Sequence, residues 1–138
     1  MNSVFCGLKM CNIAKIICSA EKTIDLVDDS VDEKTLEVLG CKKQEVQVRI
    51  YSRNAKSFNL KNVKRRNIFK SGFQYTVTSE FSDRYLLIDE KHLYVLSGPL
   101  KRNGKRGYFA VRIIGYSEVS QVRSRMGIAK ERKKRYMV

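Results

Sequence analysis

The chain has 138 residues, 43% apolar content, a single proline and a formal net charge of +14 at neutral pH. That composition suits one folded domain with a real core and excludes a disordered or low-complexity chain. No apolar run approaches the ~18 residues of a membrane span, and residues 1–18 lack the basic start, long apolar core and cleavage site of a secretory signal. The expectation is a cytoplasmic protein with no membrane partner.

The charge is unevenly placed. Residues 1–45 hold eight acids and six Lys/Arg, whereas residues 46–138 hold six acids and 22 Lys/Arg. A fold does not need such a field. It attracts polyanions, nucleic acid first and acidic membrane surface second, although an ordinary solvated basic surface is the alternative.

Over residues 9–21, Met10, Ile13, Ala14, Ile17 and Cys18 fall on one face at helical spacing. Residues 23–27 alternate and read as a strand that runs into the acidic turn at Asp28-Asp29-Ser30. Asp32 is a candidate N-cap, with Thr35 where Glu or Gln would complete a capping box, for a helix over 33–39 that Gly40 stops. Strict alternation of Val46, Val48 and Ile50 with polar neighbours makes 45–51 a strand. Helix, strand, helix, strand is the pattern of parallel pairing through a helical crossover.

Residues 53–72 are the least regular part, crowded with Arg53, Lys56, Lys61, Lys64, Arg65, Arg66 and Lys70 around Phe58 and Phe69. A short helix over 59–69 is expected there. Strands over 73–78, 84–88 and 92–96 follow. The segment 97–107 contains three glycines, the proline and the cations Lys101, Arg102, Lys105 and Arg106, and reads as a loop able to meet phosphates. A strand over 108–114 comes next. The last element is a helix over 118–134, interrupted at Gly127 and ending in a basic run that frays. The expected division is a domain over 1–122 and a basic C-terminal tail over 123–138. Cys6, Cys11, Cys18 and Cys41 lack the close pairs of a zinc site. They are expected to be reduced, mostly buried thiols, with no metal and no cofactor.

The stretch Phe81-Ser82-Asp83-Arg84-Tyr85-Leu86-Leu87-Ile88-Asp89 joins a buried strand to charge at both ends. Its spacing Ser82-x-Arg84-x4-Asp89 resembles the His-x-Lys-x4-Asp signature of the phospholipase D superfamily. Asp89 is met by identity and Arg84 by like charge, while Ser82 stands where the nucleophilic histidine should be. The likeness extends over residues 10–115. It includes the Val-Asp-x-x-Thr-Leu step within 26–36, the valine-x-valine strand at 46–50, and the glycine and basic loop within 95–106. It is similar to phospholipase D-like domains of bacterial prophage and mobile-element regulatory proteins, many of which carry His-Asp-Arg-Phe-Leu-Ile-Ile-Asp where this chain has 82–89.

The resemblance implies an α/β fold, a mixed sheet flanked by helices. It also implies a cleft in which one histidine attacks phosphorus, a second from another motif copy protonates the leaving oxygen, and cations hold the phosphoryl oxygens. With one copy per chain, a homodimer would be needed. The only histidine, His92, is not at the motif position, and serine needs an adjacent base to attack. The motif Ser82, Arg84 and Asp89 is therefore degenerate, and no catalytic residue is assigned.

The lead reading is a dimeric, non-catalytic protein gripping nucleic-acid phosphates, DNA foremost, through Arg53, Lys61, Lys64, Arg65, Arg66, Arg84, Lys101, Arg102, Lys105 and Arg106. The alternatives are a divergent phosphodiesterase or nuclease, and a phage or mobile-element module that binds a host or defence protein or a phosphorylated small molecule. Arg84 and Asp89 also have a purely structural reading, as an ion pair or a turn cap.

Overall fold

A computed structural model of the chain describes residues 12–53, 73–132 and 135–137. The helix expected over 59–69, Lys61, Lys64, Arg65 and Arg66, and Cys6 and Cys11 lie outside the described residues.

The central strand is β1 (Thr23–Val27). Its alternation sends Ile24 and Leu26 to one face and Asp25 and Val27 to the other, and all four are buried. β2 (Gln47–Ser52) pairs with it in parallel, in the register Asp25 to Arg49, and β3 (Phe73–Val77) continues the parallel set. On the other side β4 (Tyr85–Ile88), β5 (His92–Leu96) and β6 (Ala110–Ile113) add antiparallel strands. The final strand β7 (Arg135–Met137) pairs antiparallel with β3. The sheet thus runs β6-β5-β4-β1-β2-β3-β7.

Helices cover both faces. α1 (Ile13–Cys18) and α2 (Glu33–Leu39) lie on one, together with a single 3-10 turn, Leu100–Arg102. The α2 cap is the expected box. The Asp32 side chain accepts from the Thr35 N–H, and the Thr35 hydroxyl accepts from the Asp32 N–H. This core joins Ile17, Leu36 and Leu39 to Ile24, Leu26, Ile50, Tyr75, Leu86 and Ile88. The opposite face is covered by α3 (Tyr116–Arg132), which buries Val119, Val122, Met126 and Ala129 against Val27, Tyr51, Leu87 and Leu93.

Three expectations need correction. α3 is continuous through Gly127: a glycine in a helix costs only about 1 kcal/mol, and apolar contacts on both sides of it hold the helix to the sheet. The expected boundary between 122 and 123 therefore falls inside a packed helix, and β7 lies within the stretch expected to fray. Cys18 and Cys41 are free, as expected, but exposed rather than buried, with the Cys18 thiol donating to the Cys41 carbonyl at 2.8 Å.

Candidate phosphate-binding site

The motif residues sit at opposite ends of the four-residue strand β4. At roughly 3.3 Å per residue, Arg84 and Asp89 are about 16 Å apart along the backbone. Only Ser82 and Arg84 lie at the end where parallel strands β1, β2 and β3 finish, the usual place for a ligand in an open α/β sheet.

Asp89 closes the far end. Its carboxylate accepts the backbone N–H groups of Glu21, Lys22 and Thr23 at 2.7–3.1 Å and so ties the entry of β1 to the β4–β5 hairpin. Partial burial pushes its pKa up, but those N–H bonds and the nearby His92 outweigh it and leave the carboxyl below its ordinary value. The hairpin turn, closed by the Lys91 N–H on the Ile88 carbonyl, places both Asp89 and Glu90 in the left-handed region, at φ 54° and 59°. Of its two sequence readings, Asp89 takes the turn-cap role.

At the open end Asp28 is the organising group. It is 0% exposed and accepts from the Ser30 N–H (2.9 Å), the Leu100 N–H (2.8 Å) and the Arg84 Nε (3.2 Å). The carboxylate thereby joins the turn after β1, the 3-10 turn and the motif strand. Arg84 is held at its root while its guanidinium stays 35% exposed, and its two terminal nitrogens bond to no described residue. The Tyr108 hydroxyl donates to the Gly98 carbonyl, and burial, reinforced by the Asp28 charge, pushes its pKa up. Ser82 is exposed and bonds to no described residue.

The remaining predicted cations divide. Arg53 donates to the Phe81 carbonyl at 2.8 Å and pairs with Asp29, and Lys101 pairs with Asp32 at 3.3 Å. Arg102, Lys105 and Arg106 are exposed and form no ion pair with a described residue. Gly104 and Gly107, at φ 91° and 82°, let their loop turn back on itself before Tyr108, whose hydroxyl closes it on the Gly98 carbonyl.

His92 is at the closed end, where its Nδ1 is 2.7 Å from an Arg112 guanidinium nitrogen. Because it is the only histidine in the chain, Ser82 has no imidazole beside it. Sequence reasoning missed a charged network under α3. Asp25, 1% exposed, holds Arg49 through two bonds of 2.7 and 2.8 Å and accepts from the Tyr51 hydroxyl at 3.1 Å. Arg49 also reaches Glu90 at 3.0 Å, and Glu90 reaches Arg123 at 3.3 Å. The signal was an acid in the middle of the buried strand Thr-Ile-Asp-Leu-Val. Burial and the Asp25 charge push the Tyr51 phenol well above its ordinary range.

No protein-family model and no curated protein matches the chain. Solved structures do. Nuc, a phospholipase D family member from Salmonella typhimurium, aligns with a TM-score of 0.66 at 17% identity over 91% of this chain and 89% of its own. NucT from Helicobacter pylori aligns with a TM-score of 0.62 at 11% identity over 90% of this chain and 88% of its own. TrmBL2, an archaeal chromatin protein with a novel mode of DNA binding, aligns with a TM-score of 0.55 at 15% identity over 92% of this chain. The chain spans about half of TrmBL2, 49% of its length. The fold is phospholipase D-like. Among the described residues, no helix is long and apolar enough to cross a membrane.

Proposed function

We propose that the protein is a catalytically degenerate, phospholipase D-like binding protein that grips the phosphates of nucleic acid, DNA foremost. The observation that carries the reading is the division of the motif. Arg84, anchored by buried Asp28, lies at the same end of the sheet as the loop that carries Arg102, Lys105 and Arg106, which pair with no described acid, while the chain's one imidazole lies at the opposite end of the sheet. A guanidinium offers a planar two-point grip on phosphate. An exposed serine with no adjacent base does not attack phosphorus. Lys61, Lys64, Arg65 and Arg66 extend the same basic field in sequence.

One motif copy per chain supports a homodimer in which two open ends face a common polyanion. The cytoplasmic setting rests on the sequence lacking a membrane span and a secretory signal, and the prophage or mobile-element setting on the sequence resemblance alone. The DNA binding attributed to TrmBL2 and the phospholipase D membership of Nuc agree with a phosphate-handling ancestry.

Phosphate contacts weaken steeply with salt and discriminate little between sequences. Affinity for mixed-sequence duplex DNA at two salt concentrations tests this directly. Binding that weakens strongly with salt supports the reading, and no binding at low salt ends it. Metal-free turnover of bis-nitrophenyl phosphate that disappears in Ser82→Ala would replace it with a phosphodiesterase.

A further inference from the structure

Beside the buried Val119, Val122, Met126 and Ala129 of α3 runs an exposed flank of Ser120, Arg123 and Ser124 with half-buried Gly127, and along it opens a cleft of about 370 Å³ floored by Asp25 and Arg49. That volume is within the range of small-molecule sites, roughly 300–1,000 Å³. Larger apolar residues on this flank would close the gap and bury more surface. A side chain at Gly127 would meet nothing within 4 Å.

The hairpin supplies a second, independent observation. Its turn residues Asp89 and Glu90 both take the left-handed conformation that a tight hairpin turn requires and that costs a glutamate more than a glycine or asparagine. The conformation at Asp89 is matched by its caps on the β1 entry. Glu90, beyond the hairpin ladder, is held across the cleft mouth, where one carboxylate oxygen meets Arg49 at 3.0 Å and the other meets Arg123 at 3.3 Å.

The chemistry of the lining is a third. Both Asp25 oxygens are engaged by Arg49, one of them also by Tyr51. Arg49 keeps one guanidinium nitrogen and Arg123 two that bond to no described residue, the Ser120 and Ser124 hydroxyls bond to none either, and Lys130 lines the rim. Donors exceed acceptors, and with Glu90 displaced two guanidinium groups face the single carboxylate of Asp25. The complementary ligand is an anion with several acceptor oxygens.

We infer that this cavity is a second phosphate site, separate from the open end, for a phosphate monoester of at most mononucleotide size, and that the Glu90 carboxylate holds the place its phosphate would take between Arg49 and Arg123. Binding displaces Glu90 and releases the strained turn of the hairpin that carries β4. The site is thus coupled to the motif strand but does not depend on DNA being the ligand of the open end.

The test titrates the full chain with inorganic phosphate and with adenosine monophosphate by calorimetry, measuring duplex DNA affinity in parallel. Saturable one-to-one binding is expected, tightened about fivefold or more by Glu90→Gln, which removes the competing charge. Ser124→Leu, which fills the cavity, is expected to abolish it while leaving DNA affinity unchanged. Tighter binding of the nucleotide marks an organic monoester as the ligand, and equal binding marks the phosphate group alone. Absence of saturable binding overturns the inference, and so does binding that neither variant alters. If Glu90→Gln fails to fold, Ser124→Leu and Arg123→Gln take its place, and phosphate binding that survives both overturns the inference equally. Failure to bind DNA with phosphate binding intact leaves this site standing.

Discussion

The two ends of β4 carry the same motif in opposite physical states. At the closed end both oxygens of Asp89 meet backbone N–H groups, the turn is strained, and the one histidine is bound to Arg112. At the open end a buried carboxylate holds Arg84 by its Nε, and the exposed Arg102, Lys105 and Arg106 of the nearby loop form no ion pair with a described residue. The difference teaches that a signature can survive in two halves for two reasons. Asp89 is tied into the α1–β1 entry, whereas Arg84 keeps nitrogens that bond to no described residue, and the proposed function rests on that second half.

That comparison can be broken by substitutions at either end. The largest effect is expected for Asp28→Ala. It strands the Arg84 guanidinium and two backbone donors, and should cost about 3 kcal/mol in chemical denaturation as well as weaken DNA binding. Asp89→Ala should cost about 2 kcal/mol through three lost backbone caps, yet leave DNA affinity untouched. If Asp89→Ala weakened DNA binding in a protein that remained folded, the separation of the ends would be wrong.

The closed end also sets an acid limit. Asp89 and Glu90 are held below their ordinary values of 3.8 and 4.5, Asp89 by N–H bonds that outweigh its burial and Glu90 chiefly by its bond to Arg49. Depressed carboxyls contribute stability that is fully present above the ordinary values and lost as pH falls through the folded ones. The denaturation midpoint should therefore be insensitive to Asp89 and Glu90 at neutral pH and fall below about pH 4. Asp89→Asn should flatten that fall. The smallest effect is expected for Ser82→Ala, within about 0.5 kcal/mol, because Ser82 is exposed and bonds to no described residue.

What could be read from the sequence follows the same division. β1, α2 and β5 were legible to the residue, because alternation, the Asp32–Thr35 cap and Gly40 all act locally. Gly127 misled because a local penalty was outweighed by contacts of Val122, Met126 and Ala129 with a distant sheet. β7 was hidden by its basic neighbours, and its pairing with β3 is visible only in three dimensions. The motif identified the strand and its cations, but which end each residue serves depends on Asp28, 56 residues from Arg84, and on the β1 entry, 66 to 68 residues from Asp89. Asp25 and Arg49 are charges within buried strands that the sequence reading passed over, and their partner Glu90 comes to them only through the hairpin turn.

The most direct measurement is the salt dependence of duplex DNA affinity for the wild-type chain beside the triple variant Arg102→Ala, Lys105→Ala, Arg106→Ala. The two proteins should be equally stable, with weaker binding by the variant and a log–log slope shallower by about 0.9 for each phosphate contact removed, nearly 3 in all. Identical slopes for the two proteins, or a wild-type affinity indifferent to salt, would contradict a phosphate grip at the open end.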